Sequence, residues 1–182
     1  MSVAAGRLLA IWLFAAAQPA LFSCVTTTQR PVAAQASPRA IPAGVDAMWT
    51  HMNRALPGAW KATTDGGAPI SETLESISAE SALVETYVTA TGKKTMSVYH
   101  RDGADLVLTH YCAQGNQPRL RVASVGDDRV VFRLADATNV MPGQAMLIEK
   151  ELRFRADGFD QIETYRGPDG VLAVTTLRFG AE

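Results

Sequence analysis

Residues 94–135, KTMSVYHRDGADLVLTHYCAQGNQPRLRVASVGDDRVVFRLA, decide the fold of this chain. Apolar and polar residues alternate within four short runs of this stretch. The runs are divided by turn-forming residues, at Asp102-Gly103, Gly115-Asn116 and Gly126-Asp127-Asp128. A period of two is typical of half-buried strands, and connections this short suit hairpins and exclude parallel crossovers. The stretch therefore predicts four consecutive antiparallel strands.

The turns also predict which side chains share a face. A three-residue turn over 101–103 would set Met96 opposite Leu108, and the next two turns would set Leu108 opposite Val122 and Val122 opposite Phe132. A slip of one residue would scramble the separation of apolar from polar side chains, so the register is informative. One predicted inner face carries Met96, Val98, Leu106, Leu108, Leu120, Val122, Val130, Phe132 and Leu134.

The same alternation continues on both sides of this stretch. A short amphipathic helix over 45–56 comes first and ends at Pro57-Gly58. Ten strand segments follow, over 58–64, 70–79, 82–90, 94–100, 104–112, 118–125, 129–135, 145–155, 159–166 and 171–179. We expect an all-β fold, an antiparallel up-and-down meander of about ten strands that closes into a barrel, because closure removes exposed edges.

The N-terminal residues predict export. Arg7 precedes the apolar run 8–17, which fits a signal peptide and is shorter than the roughly 20 residues that span a bilayer. Leu21-Phe22-Ser23-Cys24 resembles a bacterial lipobox, which implies a signal peptide over 1–23 and lipidation of Cys24. The alternative is cleavage by an ordinary signal peptidase, which would release a soluble protein.

Residues 25–43 contain three prolines and no apolar periodicity, so 24–43 is predicted to be a lipidated, flexible tether and 44–182 the folded domain. We expect a lipoprotein of the cell envelope, anchored to the membrane through Cys24 and facing the periplasm or the cell surface.

Composition narrows the function further. The 182 residues include 17 basic and 18 acidic side chains, a net charge of -1, which argues against nucleic-acid binding through bulk charge. If Cys24 is acylated, Cys112 is left as a single thiol without a disulfide partner. The chain has no Gly-x-Ser-x-Gly, His-Glu-x-x-His or phosphate-cradling loop, so we expect no enzymatic activity.

A short motif adds a family resemblance. Gly58-Ala59-Trp60 opens the first strand directly after the helix, and Arg178 lies in the last strand. This arrangement resembles the signature of the calycins, the lipocalins and their relatives, and ten strands resemble the fatty-acid-binding or nitrobindin-like branch. The resemblance covers 44–182 and implies that Trp60 and Arg178 pack across the closed end of a barrel that binds a small apolar ligand.

Polar residues near one end of the predicted barrel are candidate ligand contacts. His110 and Cys112 fall on the apolar face, and three amide side chains follow in the adjoining loop. Alternatively, His110 and Cys112 fill the core while the amides shape the loop. The predicted pocket comprises His110, Cys112, Gln114, Asn116, Gln117, Met96, Leu108 and Phe132.

The histidines and cysteines also bear on metal and haem binding. A zinc site needs several converging ligands, and only His110 and Cys112 converge, so no metal is expected. The nitrobindin-like resemblance implies a haem held by one histidine, with His110 as the first candidate and His100 as the second. No Cys-x-x-Cys-His occurs, which excludes covalent c-type attachment. We expect no cofactor, with haem as the minor alternative.

A row of arginines on the predicted outer face suggests a different function. Arg121 and Arg133 would be cross-strand neighbours, and Arg119 lies beside them. An anion should offset them: a carboxylate such as Glu149, a lipid headgroup or a protein partner. The alternative function is therefore a structural or interaction module of the cell envelope. On the inner face, Lys150 and Glu163 would form a buried charge pair if both point inward.

Overall fold

The computed structural model describes residues 39–64, 67–89 and 91–181, which form one helix and ten strands. The elements are α1 (Val45–Ala55), β1 (Gly58–Thr63), β2 (Pro69–Ile77), β3 (Ala82–Val88), β4 (Lys94–Asp102), β5 (Asp105–Tyr111), β6 (Gln117–Val125), β7 (Arg129–Thr138), β8 (Met146–Arg155), β9 (Gly158–Arg166) and β10 (Leu172–Ala181). The predicted signal peptide and Cys24 lie outside the described residues. At the end of the predicted tether, Arg39 bonds Asp105 and the carbonyl of Val122.

The ten strands form a closed antiparallel barrel in which each strand pairs with its neighbours in the chain and β10 returns to β1. This confirms the predicted all-β meander and its single preceding helix. The seam between β1 and β10 is the shortest of the pairings, with Trp60 opposite Ala181 and Lys61 opposite Gly180. No helix in the described part of the chain is long and apolar enough to cross a bilayer.

Helix α1 covers one end of the barrel, which we call the closed end. Its apolar side is buried through Met48 and Met52, and Leu56 follows it into the core. The Trp60 indole nitrogen donates a hydrogen bond of 2.8 Å to the Leu56 carbonyl, which fixes the step from helix to first strand. The other end, where the β1–β2, β3–β4, β5–β6, β7–β8 and β9–β10 connections lie, has no such helix in the described residues, and we call it the open end.

The β4–β5 register differs from the prediction by three residues, an odd number that reverses the two faces of β4 relative to β5. Asp102 pairs with Asp105, so the turn has two residues, and Tyr99 lies opposite Leu108. Gly103, with φ +62°, supplies the left-handed first position that a tight two-residue hairpin favours. Tyr99 therefore fills the interior, and the predicted inward orientation of Met96 is wrong, since Met96 is 37 % exposed.

The same three-residue shift places two other β4 side chains on the outer side of the barrel. Val98 and His100 alternate with the buried Ser97 and Tyr99 and therefore lie on the outer side of the strand. The predicted inward orientation of Val98 is therefore also wrong, and His100, the second haem candidate, lies on the outer side as well. His100 is thereby separated from His110 by the barrel wall.

The next two pairings keep the predicted faces. Leu108 lies opposite Leu120 rather than Val122, a shift of two residues that leaves every side chain on its own face. Val122 lies opposite Phe132, and Leu120 opposite Leu134, as predicted. A register shift by an even number of residues does not change which face a side chain occupies, so the predicted inner face of β5 and β6 was unaffected.

The calycin-type contact at the closed end is only partly present. Trp60 packs edge-on against Phe159, with ring centroids 5.2 Å apart. Gly58 begins β1 with φ +147°, a conformation that side-chain-bearing residues rarely adopt. Arg178, however, is 73 % exposed and lies 3.8 Å from Asp160 on the outer wall, so its predicted packing against Trp60 is wrong. Residues of β10 alternate, and Phe179 takes the inner position.

The outer arginine row is neutralised by carboxylates of the same barrel. Arg121 and Arg133 are direct cross-strand neighbours, as predicted. Arg121 contacts Asp105 at 2.7 Å, and Arg133 contacts Glu149 at 2.7 Å. Arg119 contacts Asp136 at 2.5 Å. These pairs offset the repulsion within the protein itself.

Candidate ligand-binding site

The middle of the barrel contains a cluster of buried charged side chains instead of a continuous apolar core. Its centre is Lys150 of β8, whose ammonium lies 2.7 Å from both carboxylate oxygens of Glu85 on β3. Neither side chain is more than 2 % exposed. The Lys150 ammonium also lies 3.3 Å from Oε1 of Glu163 on β9. This is the Lys150–Glu163 pair that the sequence suggested, with Glu85 as an additional partner.

Mutual attraction keeps this central pair ionised despite its burial. Burial acts to raise the pKa of Glu85, but the charge of Lys150 and the hydrogen bonds from Lys150 and Tyr99 outweigh it and lower that pKa. Burial acts to lower the pKa of Lys150, and the surrounding carboxylates raise it well above its ordinary value instead. A buried ion pair of this geometry is held by its partners and becomes costly once one of them is removed.

A hydrogen-bonded relay runs from Glu85 to His110. The Tyr99 hydroxyl donates to Glu85 at 2.6 Å, and the Ser97 hydroxyl donates to it at 3.0 Å. His110 Nδ1 lies 3.0 Å from the same Ser97 oxygen. Because the carboxylate can only accept, the Ser97 proton points to Glu85, and His110 Nδ1–H donates to Ser97.

This relay fixes the state of the other ring nitrogen of His110. Burial lowers the pKa of His110, with Glu163 acting in the opposite direction, so the ring is neutral near pH 7. With the proton on Nδ1, Nε2 keeps its lone pair. His110 is 2 % exposed, and its Nε2 bonds no group in the described part of the chain. The site thus presents a buried acceptor without a donor.

Glu72 of β2 adds a second group without a partner. Burial, followed by the charge of Glu85, raises the pKa of Glu72 well above its ordinary value. The side chain is 1 % exposed, and neither carboxyl oxygen has a hydrogen-bond partner among the described residues. Gln161 Oε1 is likewise unpaired. Buried polar groups normally have hydrogen-bond partners, so several buried groups without partners in one region indicate a site that another molecule completes.

A cavity of about 270 Å³ connects this cluster to the open end. Glu85, His110 and Glu163 contribute charged and polar groups to its wall, while Tyr87, Tyr165 and Leu177 contribute aromatic and apolar surface. The Tyr165 hydroxyl lies 3.3 Å from Glu163, and burial raises the pKa of Tyr165. The cavity therefore combines a polar floor with largely apolar sides.

The structure brings together three of the eight predicted pocket residues. His110, Cys112 and Gln114 line the cavity. Cys112 is a partly exposed free thiol. Leu108 and Phe132 do face inward, but they are fully buried, and Phe132 packs against Tyr99 with ring centroids 5.6 Å apart. They belong to the packed core beneath the cavity.

The remaining two amide side chains support the loops of the open end. Asn116 Nδ2 donates to the Ala145 carbonyl at 3.0 Å and lies 3.2 Å from Gln144 Oε1. Gln117 Nε2 donates to the Gly115 carbonyl at 2.6 Å. The Asn116 contacts tie the β5–β6 and β7–β8 connections together, and the Gln117 contact stabilises the β5–β6 connection locally. Both fit the loop-shaping role that the sequence left open.

The most important residues that sequence reasoning missed are Glu72 and Glu85. The available signal was a charged residue at an inward position of an alternating strand. Glu72 lies between Ile70 and Leu74 in the period of two, and Glu85 follows Leu83 in the same way. In both strands the glutamate occupies the position that the apolar period assigns to the core. That pattern predicts a buried carboxylate, which needs a partner or a function.

The other clefts of the described residues do not combine a cavity with buried charged side chains. Grooves of about 520 and 330 Å³ flank α1 at the closed end, and His51 contributes to both. A cleft of about 430 Å³ lies beside the β1–β2 connection and includes Ile70 and Val88. These clefts are larger, but the cluster of buried charges does not line them. Within the described residues, no group of three or more histidine, cysteine, aspartate or glutamate side chains is arranged to hold a metal ion.

The fold and the site define the protein as a ten-stranded antiparallel β-barrel with a small polar-floored cavity at one end. No protein-family model matches the chain, and no curated protein matches its sequence.

Proposed function

We propose that the protein binds a small amphiphilic molecule in the open half of its barrel, with a hydrogen-bond-donating, cationic head against the polar floor. The observation that carries this proposal is the cavity that reaches His110 and Glu163 beside buried groups without partners. The sequence favoured a small apolar ligand. A purely apolar ligand would leave His110 Nε2 unsatisfied, at a cost of roughly 1–3 kcal/mol.

The charges of the floor select the head group. Glu85 and Glu163 both contact the single ammonium of Lys150, which leaves carboxylate charge in excess of cationic charge. A protonated amine would balance that excess and donate to His110 Nε2, the unpaired acceptor of a residue that lines the cavity. An anionic head, such as the carboxylate of a fatty acid, would meet Glu163 and be repelled.

The cavity also limits the size of the ligand. Small-molecule pockets commonly occupy about 300–1,000 Å³, and this cavity of about 270 Å³ lies just below that range. The ligand is accordingly a short molecule, with an apolar body that packs against Tyr87, Tyr165 and Leu177.

Haem does not fit this site. Its macrocycle exceeds most drug-sized ligands, whereas the cavity is below the usual size for those. The candidate axial ligand, His110, is buried beside Glu85 and Ser97 in the polar floor. The other candidate, His100, lies on the outer side of β4.

The N-terminal pattern supports placing this binding activity in the cell envelope, with the protein anchored through Cys24. Mass spectrometry of the protein from its own host tests that part. We expect a mass that matches acylation of Cys24, and an unmodified chain that keeps residues 1–23 would contradict it.

A matched ligand series tests the binding proposal. Isothermal titration of the full chain with straight-chain amines, alcohols and carboxylates of equal length should show saturable binding of amines above the other two classes. Glu163→Gln should weaken amine binding roughly tenfold, because it removes a charge at the floor. Glu149→Gln, on the outer wall of β8, is the control and should bind as the unaltered protein does.

Two results would overturn the proposal. One is the absence of saturable binding by every member of the series. The other is equal affinity for amines and carboxylates, since a floor with excess carboxylate must distinguish them.

A further inference from the structure

The two ends of the barrel carry different surfaces. Among the described residues, most large apolar side chains that are exposed lie at the open end or on the strand segments next to it. They are Met96, Tyr111, Val140, Met141, Val171, Leu172 and Val174. The other two, Ile41 and Ile77, lie toward the closed end. Apolar exposure concentrated at one pole of a barrel is a feature of a contact surface.

The greatest exposure forms an arc around the mouth. Met141 belongs to the β7–β8 connection, and Val171, Leu172 and Val174 belong to the β9–β10 hairpin. These four side chains are 57–64 % exposed. The two connections are neighbours on the rim because β8 pairs with β9 at Met146 and Arg166. We call this set the rim arc.

The open end also carries cations without partners. Lys93 and Lys94 lie at the β3–β4 connection, and Arg166 lies at the end of β9, directly opposite Leu172. None of the three forms an ion pair within the described residues. Arginines of the walls, by contrast, are paired, as in Arg121 with Asp105. Asp169 of the β9–β10 connection, which accepts a hydrogen bond from the Val171 N–H, offsets part of this charge. The three cations still exceed it, and the net positive charge coincides with the exposed apolar side chains.

Connections at the closed end carry the opposite charge. Glu80 lies between β2 and β3, Asp127 and Asp128 lie between β6 and β7, and Asp157 lies between β8 and β9. Asp157 is paired with Arg155, and Arg54 of α1 is a closed-end cation, but Glu80, Asp127 and Asp128 form no ion pair within the described residues. The unpaired side chains therefore leave net negative charge at the closed end and net positive charge at the open end. A negatively charged surface would attract the open end and repel the closed end.

We propose that the open end docks on an anionic phospholipid bilayer, with the rim arc in the interfacial region and Lys93, Lys94 and Arg166 against the headgroups. Apolar side chains next to unpaired Lys and Arg are the combination that interfacial membrane binders use. Val171 to Val174 spans roughly 10 Å of extended chain, which matches an interfacial depth of about 5–10 Å. The chemistry favours lipid over a protein partner, since the cations are spread over separate connections around one rim.

Docking in this orientation turns the mouth of the cavity toward the bilayer. A ligand that partitions into the membrane could then reach Tyr165 and His110 without crossing water. The docking proposal rests on the rim alone, and the binding of amines in the cavity can fail without affecting it.

Site-specific fluorescence of the full chain tests the orientation. Cys24→Ser and Cys112→Ser remove the native thiols, and a single cysteine is introduced by Val174→Cys at the rim or by Ile77→Cys toward the closed end. Each is labelled with an environment-sensitive dye and mixed with vesicles of phosphatidylcholine, with or without phosphatidylglycerol. The N-terminal segment is present in both proteins, so any attachment through it is common to the two label positions.

The proposal expects a blue shift of the dye at position 174 with phosphatidylglycerol vesicles and little change at position 77. The triple change Lys93→Gln, Lys94→Gln and Arg166→Gln should raise the lipid concentration needed for half of that shift by roughly tenfold or more. A matched triple change of arginines away from the rim, Arg54→Gln, Arg129→Gln and Arg153→Gln, should leave it unchanged.

Three outcomes would overturn the proposal. Equal shifts at the two label positions would show that docking has no orientation. Equal shifts with and without phosphatidylglycerol would remove the role of the rim cations. A shift at position 174 that grows with protein concentration in the absence of vesicles would identify a second copy of the chain as the occupant.

Discussion

The half of the barrel under α1 and the half at the mouth are built from the same ten strands but differ in the side chains that they bury. Under the helix, inward positions are apolar and fully buried, as at Leu106, Val122 and Phe179. Toward the mouth, the corresponding positions of neighbouring strands carry Glu85 and Lys150. Alternation therefore sets where a side chain points, and residue type at each inward position decides whether that half provides stability or a site.

The energetic consequence differs between the halves. Burial of a large apolar side chain stabilises the fold by about 1.5–3 kcal/mol. A buried ion pair costs desolvation that its mutual attraction only roughly offsets. The half under the helix accordingly holds the barrel together, and the half at the mouth retains polar groups that a stable barrel does not need.

Lys150→Met should have the largest effect of the changes considered. It leaves Glu85 buried without its cation, and we expect the free energy of unfolding to fall by about 3–5 kcal/mol. Urea denaturation at pH 7 measures it. Adding Glu85→Met should recover much of the loss, because the uncompensated charge is removed. Additive losses in the double variant would show that the pair is not coupled, and the contrast between the halves would be wrong.

Met52→Ala tests the half under the helix. Met52 is fully buried where α1 covers the barrel, and its truncation should cost about 2–5 kcal/mol. Tyr165→Phe is the counterpart at the mouth, where the hydroxyl lies beside the cavity, and it should cost less than about 1.5 kcal/mol. Thermal denaturation compares the two. Equal losses would mean that both halves contribute alike to stability.

Much of the fold was predictable because hairpins leave local signals. The turn residues and the alternation gave ten strands, and the observed strands begin and end close to those predictions. The error at β4 shows the limit. The predicted turn over 101–103 and the observed turn over 103–104 share Gly103, and long-range packing of Tyr99 against Phe132 favours the second.

The site was harder to predict because it depends on strands far apart in sequence. Lys150 meets Glu85 across 65 positions of the chain, and no local pattern joins them. His110 was found because it alternates with Leu106 and Leu108 along β5, so its inward orientation does not depend on the register with either neighbouring strand. Its relay through Ser97 was hidden, since the three-residue register error at β4 had turned Ser97 outward.

Glu72→Gln should stabilise the protein at neutral and alkaline pH. The pKa of Glu72 is raised in the folded chain, so the unfolded chain loses its proton first, and stability falls as pH rises above the ordinary value of 4.5. A neutral amide removes that penalty, with an expected gain of about 1–3 kcal/mol at pH 8. Denaturation from pH 4 to 8 should show a flatter profile for the variant, and parallel profiles would count against a buried, protonated Glu72.

His110→Gln should change the pH profile in the opposite sense. Burial lowers the pKa of His110, so the unfolded chain takes up a proton first as pH falls below 6.5, and stability is lost in that direction. The variant should lose less stability between pH 6.5 and pH 5 than the unaltered protein. His51→Gln is the control at the closed end. A loss of the same size in the His110 variant would show that this histidine does not titrate in the site.

The smallest effect should come from a charge pair of the outer wall, Arg133 with Glu149. Its 2.7 Å contact is as short as that between Lys150 and Glu85, but the Arg133 side chain is largely exposed. Water competes for both groups, so Glu149→Gln should cost only about 0.2–1 kcal/mol, and added salt should reduce that cost further. Urea denaturation at low and high salt measures both. A loss near that of Lys150→Met would show that distance, rather than burial, sets the strength of these pairs.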